Sequence, residues 1–204
     1  SVVGAVGLTM ADLFPPRETP HRASRKRSPQ LATIPPVRPV TPLQVVGLTT
    51  SALATAKRLS PATLAARGVR DVRRDGIPAI AIPYRDADRN IVAIRFRDGS
   101  GFKWRSGDHV LLYGLERLAE IRRGGWVLLV EGESDSWTAD EHGIPALGIP
   151  GKATWQPKWA ECVAGLDVVL WQEPDAPDLV ERVAANVSDL RVIVAPDGTK
   201  DISD

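Results

Sequence analysis

Four short apolar runs in the C-terminal part of the chain constrain its fold more than any other feature. They occupy residues 126–130, 144–149, 166–171 and 190–195, and segments with helical patterns separate them. Continuous apolar runs of this length are typical of strands that are buried on both faces of a parallel sheet. Because strands and helices alternate, the chain is predicted to end in an α/β domain, a parallel four-stranded sheet with flanking helices.

The segment before these runs follows a different pattern. Apolar and polar residues alternate over residues 77–105, which indicates antiparallel strands with one buried face. Two short helices are predicted over residues 48–69, and a further helix is predicted over residues 111–121. This part of the chain is therefore predicted to be a small basic α+β subdomain. The predicted boundaries are 45–123 for this subdomain and 124–204 for the α/β domain.

Charge is divided unevenly between these two parts. Residues 41–125 contain 15 basic and 8 acidic residues, whereas residues 126–204 contain 5 basic and 15 acidic residues. Such an asymmetry favours a basic part that meets a polyanion and an acidic part that holds cations. The segment 17–44 is rich in proline and basic residues, so we expect an extended linker there.

Several classes of protein are excluded by composition. A single cysteine, Cys162, rules out a disulfide framework and a cysteine-based zinc cluster within this chain. The sequence contains no run of about 18 apolar residues, so no transmembrane helix is expected. No basic segment precedes the apolar N-terminal stretch, as a signal peptide would require. We therefore expect a cytoplasmic protein.

Acidic residues follow three of the four predicted strands. The motifs are E-G-E-S-D at residues 131–135, E-P-D at residues 173–175 and D-G-T-K-D at residues 197–201. The carboxyl ends of parallel strands meet at one edge of a sheet, where so many like charges repel unless a divalent cation or a shared proton relieves them. Oxygen ligands favour Mg²⁺ or Mn²⁺ over zinc. This pattern indicates phosphoryl or nucleotidyl transfer.

These motifs resemble those of the Toprim domain, which bacterial and phage primases, topoisomerases and several nucleases share. The resemblance covers residues 124–204 and rests on the order of the three acidic motifs on alternating strands. The preceding segments resemble the basic subdomain that comes before the Toprim domain in primases. Those segments are I-P-Y at residues 82–84, I-R-F-R at residues 94–97, F-K-W at residues 102–104 and L-Y-G-L at residues 112–115.

The resemblance implies the central core of a DNA primase from a bacterium or a phage-infected cell. Such an enzyme makes short RNA primers from ribonucleoside triphosphates on single-stranded DNA, with Mg²⁺ (or Mn²⁺) and a replicative helicase that is fused or separate. Residues 1–16 are similar to the end of an upstream zinc-finger domain, so Zn²⁺ is expected only there. Two alternatives stay open, a Toprim-type Mg²⁺-dependent nuclease and a non-catalytic nucleic-acid-binding module.

Roles for individual residues follow from the same resemblance. Glu131 would be the general base for the attacking 3′-hydroxyl or a metal ligand. The metal ligands would be Glu131, Asp135, Glu173, Asp175 and Asp201. Basic residues beside the motifs are expected to contact template or nucleotide phosphates. These basic residues are Arg95, Arg97, Lys103, Arg105, Lys152 and Lys200. The chain departs from the family in having Glu173 where aspartate is common, and Ala176-Pro177-Asp178 where glycine often follows.

Overall fold

The computed structural model describes residues 47–199 and 201–203. The predictions for residues 1–16 and 17–44 lie outside this part of the chain, as does Lys200. The described residues form an antiparallel and a parallel sheet, each with four strands. None of the helices described is long and apolar enough to span a membrane.

Two short helices open the described chain, as predicted. Helix α1 is Thr50–Lys57 and helix α2 is Pro61–Ala66. The Thr49 hydroxyl accepts a hydrogen bond from the backbone N–H of Ala52, and Ser60 caps α2 in the same manner. Because these side chains satisfy N–H groups that lack a helical partner, they mark where each helix begins.

The antiparallel sheet has the strand order β1-β2-β3-β4. The strands are β1 (Arg70–Arg74), β2 (Ile77–Arg85), β3 (Ile91–Asp98) and β4 (Gly101–Trp104). The alternation over residues 77–105 correctly predicts β2, β3 and β4. Strand β1 was not predicted, because it contains a single apolar residue, Val72. One face of the sheet buries Ile80, Ile82 and Tyr84 against α1 and α2.

The segment between the two sheets differs from the prediction of one helix over residues 111–121. Tyr113 instead forms an isolated antiparallel bridge with Gly148. A 3₁₀ turn, Leu115–Arg117, then leads into helix α3, Leu118–Gly124. Leu112 and Tyr113 are buried in two different hydrophobic clusters, and Gly114 has a positive φ of 92°. Packing and backbone conformation together therefore exclude a helix before residue 115.

The parallel sheet confirms the prediction from the apolar runs, with the strand order β6-β5-β7-β8. Its strands are β5 (Trp126–Glu131), β6 (Ala146–Ile149), β7 (Asp167–Gln172) and β8 (Arg191–Val194). Helix α4 (Glu133–Glu141) follows β5, a 3₁₀ turn (Pro157–Trp159) and α5 (Ala160–Val163) follow β6, and α6 (Pro177–Ala184) follows β7. Every strand pair is parallel, as βαβ connections require.

The strand order places a crevice at the carboxyl ends of β5 and β7. The chain passes from β5 to β6 on one side, and then returns to β7 and β8 on the other side. Ligands of open parallel sheets bind where the strand order reverses in this way, outside the carboxyl ends of the strands. Fully buried leucines on β5, β6 and β7 hold this edge in place. These leucines are Leu129, Leu147 and Leu170.

Candidate active site

A cleft of about 240 Å³ opens at the carboxyl edge of the parallel sheet. The residues that line it come from α1, from the antiparallel sheet and from the loops that follow β5, β6, β7 and β8. They are Lys57, Arg95, Arg97, Phe102, Glu131, Gly132, Glu133, Ser134, Asp135, Gly151, Glu173 and Asp201. The cleft thus has an acidic wall, formed by Glu131, Asp135, Glu173 and Asp201, and a basic wall, formed by Arg95 and Arg97.

The acidic wall begins with Glu131, the last residue of β5. Gly132 has φ 92° and ψ 177°, a conformation that is essentially restricted to glycine, and it turns the chain from β5 directly into α4. A Cβ atom at Gly148 would lie 2.5 Å from the carbonyl oxygen of Gly132. Two glycines therefore allow β6 to approach the turn and bury the first turn of α4, which carries Asp135, against the sheet.

Asp135 shows that the acidic motifs converge. Its side chain is buried, and its Oδ1 atom accepts no hydrogen bond from the described residues. Burial, together with the negative charges of Asp201, Glu173 and Glu131, raises the pKa of Asp135 to about 8, although Lys57 acts in the opposite direction. Carboxylates from three strand ends thus share one electrostatic environment, as predicted for parallel strands.

Lys57, which no sequence pattern indicated as a site residue, contacts one of these carboxylates. The Lys57 Nζ atom donates to Asp201 Oδ2 at 2.6 Å and to the Ser203 hydroxyl at 2.8 Å. Although burial opposes the change, the hydrogen bonds that Lys57 and Ser203 donate to Asp201 lower its pKa. Lys57 lies on α1, 144 residues before Asp201, so no local pattern could have indicated the contact.

The basic wall is held by a buried cluster of Arg95, Glu133 and Tyr84. Arg95 Nη1 donates to Glu133 Oε1 at 2.8 Å, and the Tyr84 hydroxyl donates to the same oxygen. Burial disfavours the charge of Arg95, but the neighbouring Glu133 carboxylate leaves the pKa of Arg95 raised. Burial and the Glu133 charge also hold the pKa of Tyr84 well above its usual value. The cluster joins the antiparallel sheet to α4 and keeps Arg95 in the lining of the cleft.

Four other predicted basic residues differ in position. Arg97 lines the cleft, and burial lowers its pKa. Lys103 pairs with Phe96 in the sheet register, so it lies on the opposite face from Arg95 and Arg97. The remaining two, Arg105 and Lys152, lie outside the lining of the cleft, and so do their acidic partners. Arg105 forms an ion pair with Asp108 at 2.9 Å, and Lys152 forms one with Asp175 at 3.0 Å.

The donor atoms at the acidic wall fit a hard divalent cation. In residues 47–199 and 201–203, no three histidine, cysteine, aspartate or glutamate side chains are already grouped to hold a metal ion. All the converging ligands are carboxylates, however, and the buried Asp135 Oδ1 atom accepts no hydrogen bond within this range. Carboxylate oxygens are the ligands that Mg²⁺ and Mn²⁺ prefer, and a cation would relieve the crowded negative charge.

Solved structures with similar folds are primase cores. The primase fragment of the bacteriophage T7 primase-helicase protein matches with a TM-score of 0.60 and 25% identity, over 73% of this chain and 65% of that fragment. The RNA polymerase domain of Mycobacterium tuberculosis DnaG primase matches with a TM-score of 0.60 and 13% identity, over 75% of this chain and 69% of that domain. A DnaG catalytic domain bound to single-stranded DNA matches with a TM-score of 0.58 and 16% identity, over 74% of this chain and 65% of that structure.

Fold and site together define this chain as a primase core of the bacterial and phage type. It spans 65% of the T7 primase fragment. No family model matches the sequence. The chain is 32% identical over 130 residues to the Gene 57 protein of Mycobacterium phage D29, a match that covers 58% of this chain and 84% of that protein. It belongs to the family of that phage protein.

Proposed function

We propose that this chain is the catalytic core of a DNA primase. It joins ribonucleoside triphosphates into short RNA primers on a single-stranded DNA template, in a reaction that depends on Mg²⁺ or Mn²⁺. It works in the cytoplasm of a bacterial or phage-infected cell, beside a replicative helicase that is fused to it or separate. The T7 relative is itself a primase-helicase protein, which supports the helicase assignment.

One observation carries this proposal. Within a primase-type fold, acidic residues from the ends of three parallel strands meet in one cleft, and two arginines of the antiparallel sheet form its opposite wall. Nucleotidyl transfer needs this combination, because a nucleoside triphosphate is an anion that must be held against the ligands of a cation. A module that only bound nucleic acid would have no use for buried carboxylates, which repel phosphate.

The residues of the acidic wall take distinct roles in this proposal. Glu131 accepts the proton of the attacking 3′-hydroxyl or serves as a metal ligand. The ligands of Mg²⁺ are Glu131, Asp135, Glu173 and Asp201 in the lining of the cleft, together with Asp175, which lies outside that lining. When bound, Mg²⁺ supplies charge stabilisation for the triphosphate. Lys57 forms an ion pair with Asp201. Its positive charge therefore balances the Asp201 carboxylate when no metal is bound there.

The basic residues hold phosphates. Arg95 and Arg97 line the cleft and are placed to receive the triphosphate, whose oxygens match the fork of a guanidinium group. Lys152 lies beside Asp175 at the rim of the parallel sheet and would contact an incoming nucleotide. We assign Lys103, Arg105 and Lys200 to the template strand. Of these, Lys103 and Arg105 lie outside the lining of the cleft.

A primer-synthesis assay tests the proposal. The chain is incubated with single-stranded DNA, radiolabelled ribonucleoside triphosphates and Mg²⁺ or Mn²⁺, in parallel with Glu131→Gln and with the exposed control Glu181→Gln. We expect short oligoribonucleotides from the wild type and from the control, and a loss of at least about 100-fold in Glu131→Gln, since general bases typically contribute 10²–10⁴-fold.

Two results would overturn the assignment. Mg²⁺-dependent degradation of the DNA by the wild type without incorporation of nucleotides would favour the nuclease alternative. Equal product from the wild type and Glu131→Gln would show that the cleft is not the site of synthesis. The same assay is repeated with residues 1–16 attached to a zinc-finger domain of the family, because template recognition is expected to reside there.

A further inference from the structure

A second pocket, the arginine pocket, lies apart from the acidic cleft and shares no lining residue with it. Its volume is about 480 Å³, twice that of the cleft. It is formed by α2, the end of β2, the turn before β3, α3 and the last turn of α4. Five arginines line it, namely Arg67, Arg85, Arg89, Arg117 and Arg123, with Glu116, Glu120, Asp140, Ala66 and Ala119 between them.

The floor of the arginine pocket is rigid. Arg117 Nη1 donates to Asp140 Oδ1 at 2.6 Å, and Arg67 donates to the other oxygen of the same carboxylate. Arg117 also donates to the Ser136 hydroxyl and to the carbonyl oxygen of Ala146. Its Nε atom is buried and has no hydrogen-bond partner among the described residues. Two guanidinium groups are thus held in place at the floor of the pocket.

The rim of the pocket carries the positive charge that its carboxylates do not balance. Arg85, Arg89 and Arg123 form no ion pair with any residue in 47–199 or 201–203. Arg85 Nη1 donates to the carbonyl oxygen of Arg89 at 3.0 Å, which fixes the turn between β2 and β3 beside the pocket. Asp140 and Glu116 already pair with the floor arginines. Glu120 is then the one lining carboxylate left to face three rim guanidinium groups.

The chemistry of the lining selects phosphate. Every basic residue of the pocket is an arginine, and the planar guanidinium fork matches two oxygens of a phosphate group, which the ammonium of lysine does not. No aromatic side chain lines the pocket, so it offers no surface on which a nucleobase stacks. A ligand held by its phosphates rather than by its bases is therefore favoured.

We propose that the arginine pocket binds the phosphate backbone of a nucleic-acid strand, at a position separate from the acidic cleft. The affinity for phosphate follows from the pocket itself, whereas the choice of a nucleic acid as its source rests on the proposed function. Such a site holds template or primer–template outside the cleft and contributes to the affinity for DNA without taking part in the chemistry.

Binding to DNA tests this proposal without catalysis. The affinity for a fluorescein-labelled single-stranded oligonucleotide is measured by anisotropy in EDTA, without nucleotides, from 50 to 300 mM salt. We expect Arg89→Ala/Arg123→Ala to bind at least about 10-fold more weakly at low salt. Because each phosphate contact on a single strand contributes about 0.7 to the slope of log K against log salt, the slope should fall by about 1.4.

The control double variant Arg122→Ala/Arg191→Ala removes the same charge from other places. Arg122 is on the same helix as Arg123 but donates to the carbonyl oxygens of Cys162 and Ala164, and Arg191 pairs with Asp167. We expect it to retain affinity within about twofold of the wild type. Equal losses in both double variants would overturn the proposal, because they would show a dependence on net charge alone. Thermal unfolding of each variant confirms that the fold is retained.

Two further measurements are needed. One distinguishes a nucleotide from a nucleic acid as the ligand of the arginine pocket, and the other distinguishes failure of this proposal from failure of the proposed function. If Arg89→Ala/Arg123→Ala lost competition by inorganic tripolyphosphate but kept its affinity for DNA, the pocket would be a nucleotide site and the assignment to nucleic acid would be wrong. Glu131→Gln should bind DNA as the wild type does. If the wild type synthesised no primers but Arg89→Ala/Arg123→Ala still bound DNA more weakly, the proposed function would fall and the inference of a phosphate-binding pocket would stand.

Discussion

Replacing Asp135 by asparagine should make the metal-free protein more stable at high pH. Asparagine keeps the shape of the side chain and removes the charge that burial and three neighbouring carboxylates disfavour. The pKa of Asp135 is raised from 3.8 to about 8 in the folded protein. At about 1.36 kcal/mol per pH unit, the full shift corresponds to about 6 kcal/mol.

The direction of the pH dependence follows from proton binding. The folded state binds the Asp135 proton more tightly than the unfolded state, so its contribution to stability is complete below pH 4. That contribution is lost as the pH rises through about 8. Between pH 5 and pH 8, the wild type should therefore lose about 3.5 kcal/mol of unfolding free energy that Asp135→Asn does not lose.

Urea unfolding in EDTA at pH 5, 6, 7 and 8 measures this difference. The exposed control Asp178→Asn should follow the wild type at every pH. Parallel stability curves for the wild type and Asp135→Asn would refute the reasoning, because they would show that Asp135 does not share the environment of the other acids. Added Mg²⁺ should stabilise the wild type more at pH 8 than at pH 5, since a carboxylate ligand must lose its proton before it binds a metal.

Three further substitutions are checked by chemical denaturation at pH 6. Gly132→Ala should cost about 1–3 kcal/mol, because alanine is strained at φ 92° and ψ 177°. Glu133→Ala should cost about 3–5 kcal/mol, because it leaves Arg95 buried without its carboxylate. Trp137→Phe should cost about 1–3 kcal/mol, because its indole N–H donates to the Tyr113 hydroxyl at 2.7 Å in the core. If any of these substitutions lowered the free energy of unfolding by less than about 0.5 kcal/mol, the structural reason given for it would be wrong.

The parallel sheet could be predicted because its signal is local. Each strand is a continuous apolar run, and helices between such runs leave the chain few ways to connect them except as parallel neighbours. The meeting of Glu131 and Glu173 follows from the same logic, since both stand where adjacent parallel strands end. The prediction of a helix over residues 111–121 was wrong at its start, where the local sequence pattern does not decide the conformation. The segment at residues 111–114 has a helical pattern, but burial of Leu112 and Tyr113, the Tyr113–Gly148 bridge and the positive φ of Gly114 prevent a helix there.

The partners of these residues depended on packing between distant parts of the chain. Alternation indicated that Arg95 and Arg97 share a face of the antiparallel sheet, but only the position of α4 shows that this face meets the carboxylates. Lys57 reaches Asp201 from a helix 144 residues away. A repeating pattern records which side chains share a face, because backbone geometry sets the period. It does not record which element covers that face. Contacts between segments that are distant in the sequence decide this, and they form only when the chain folds and buries its apolar surface.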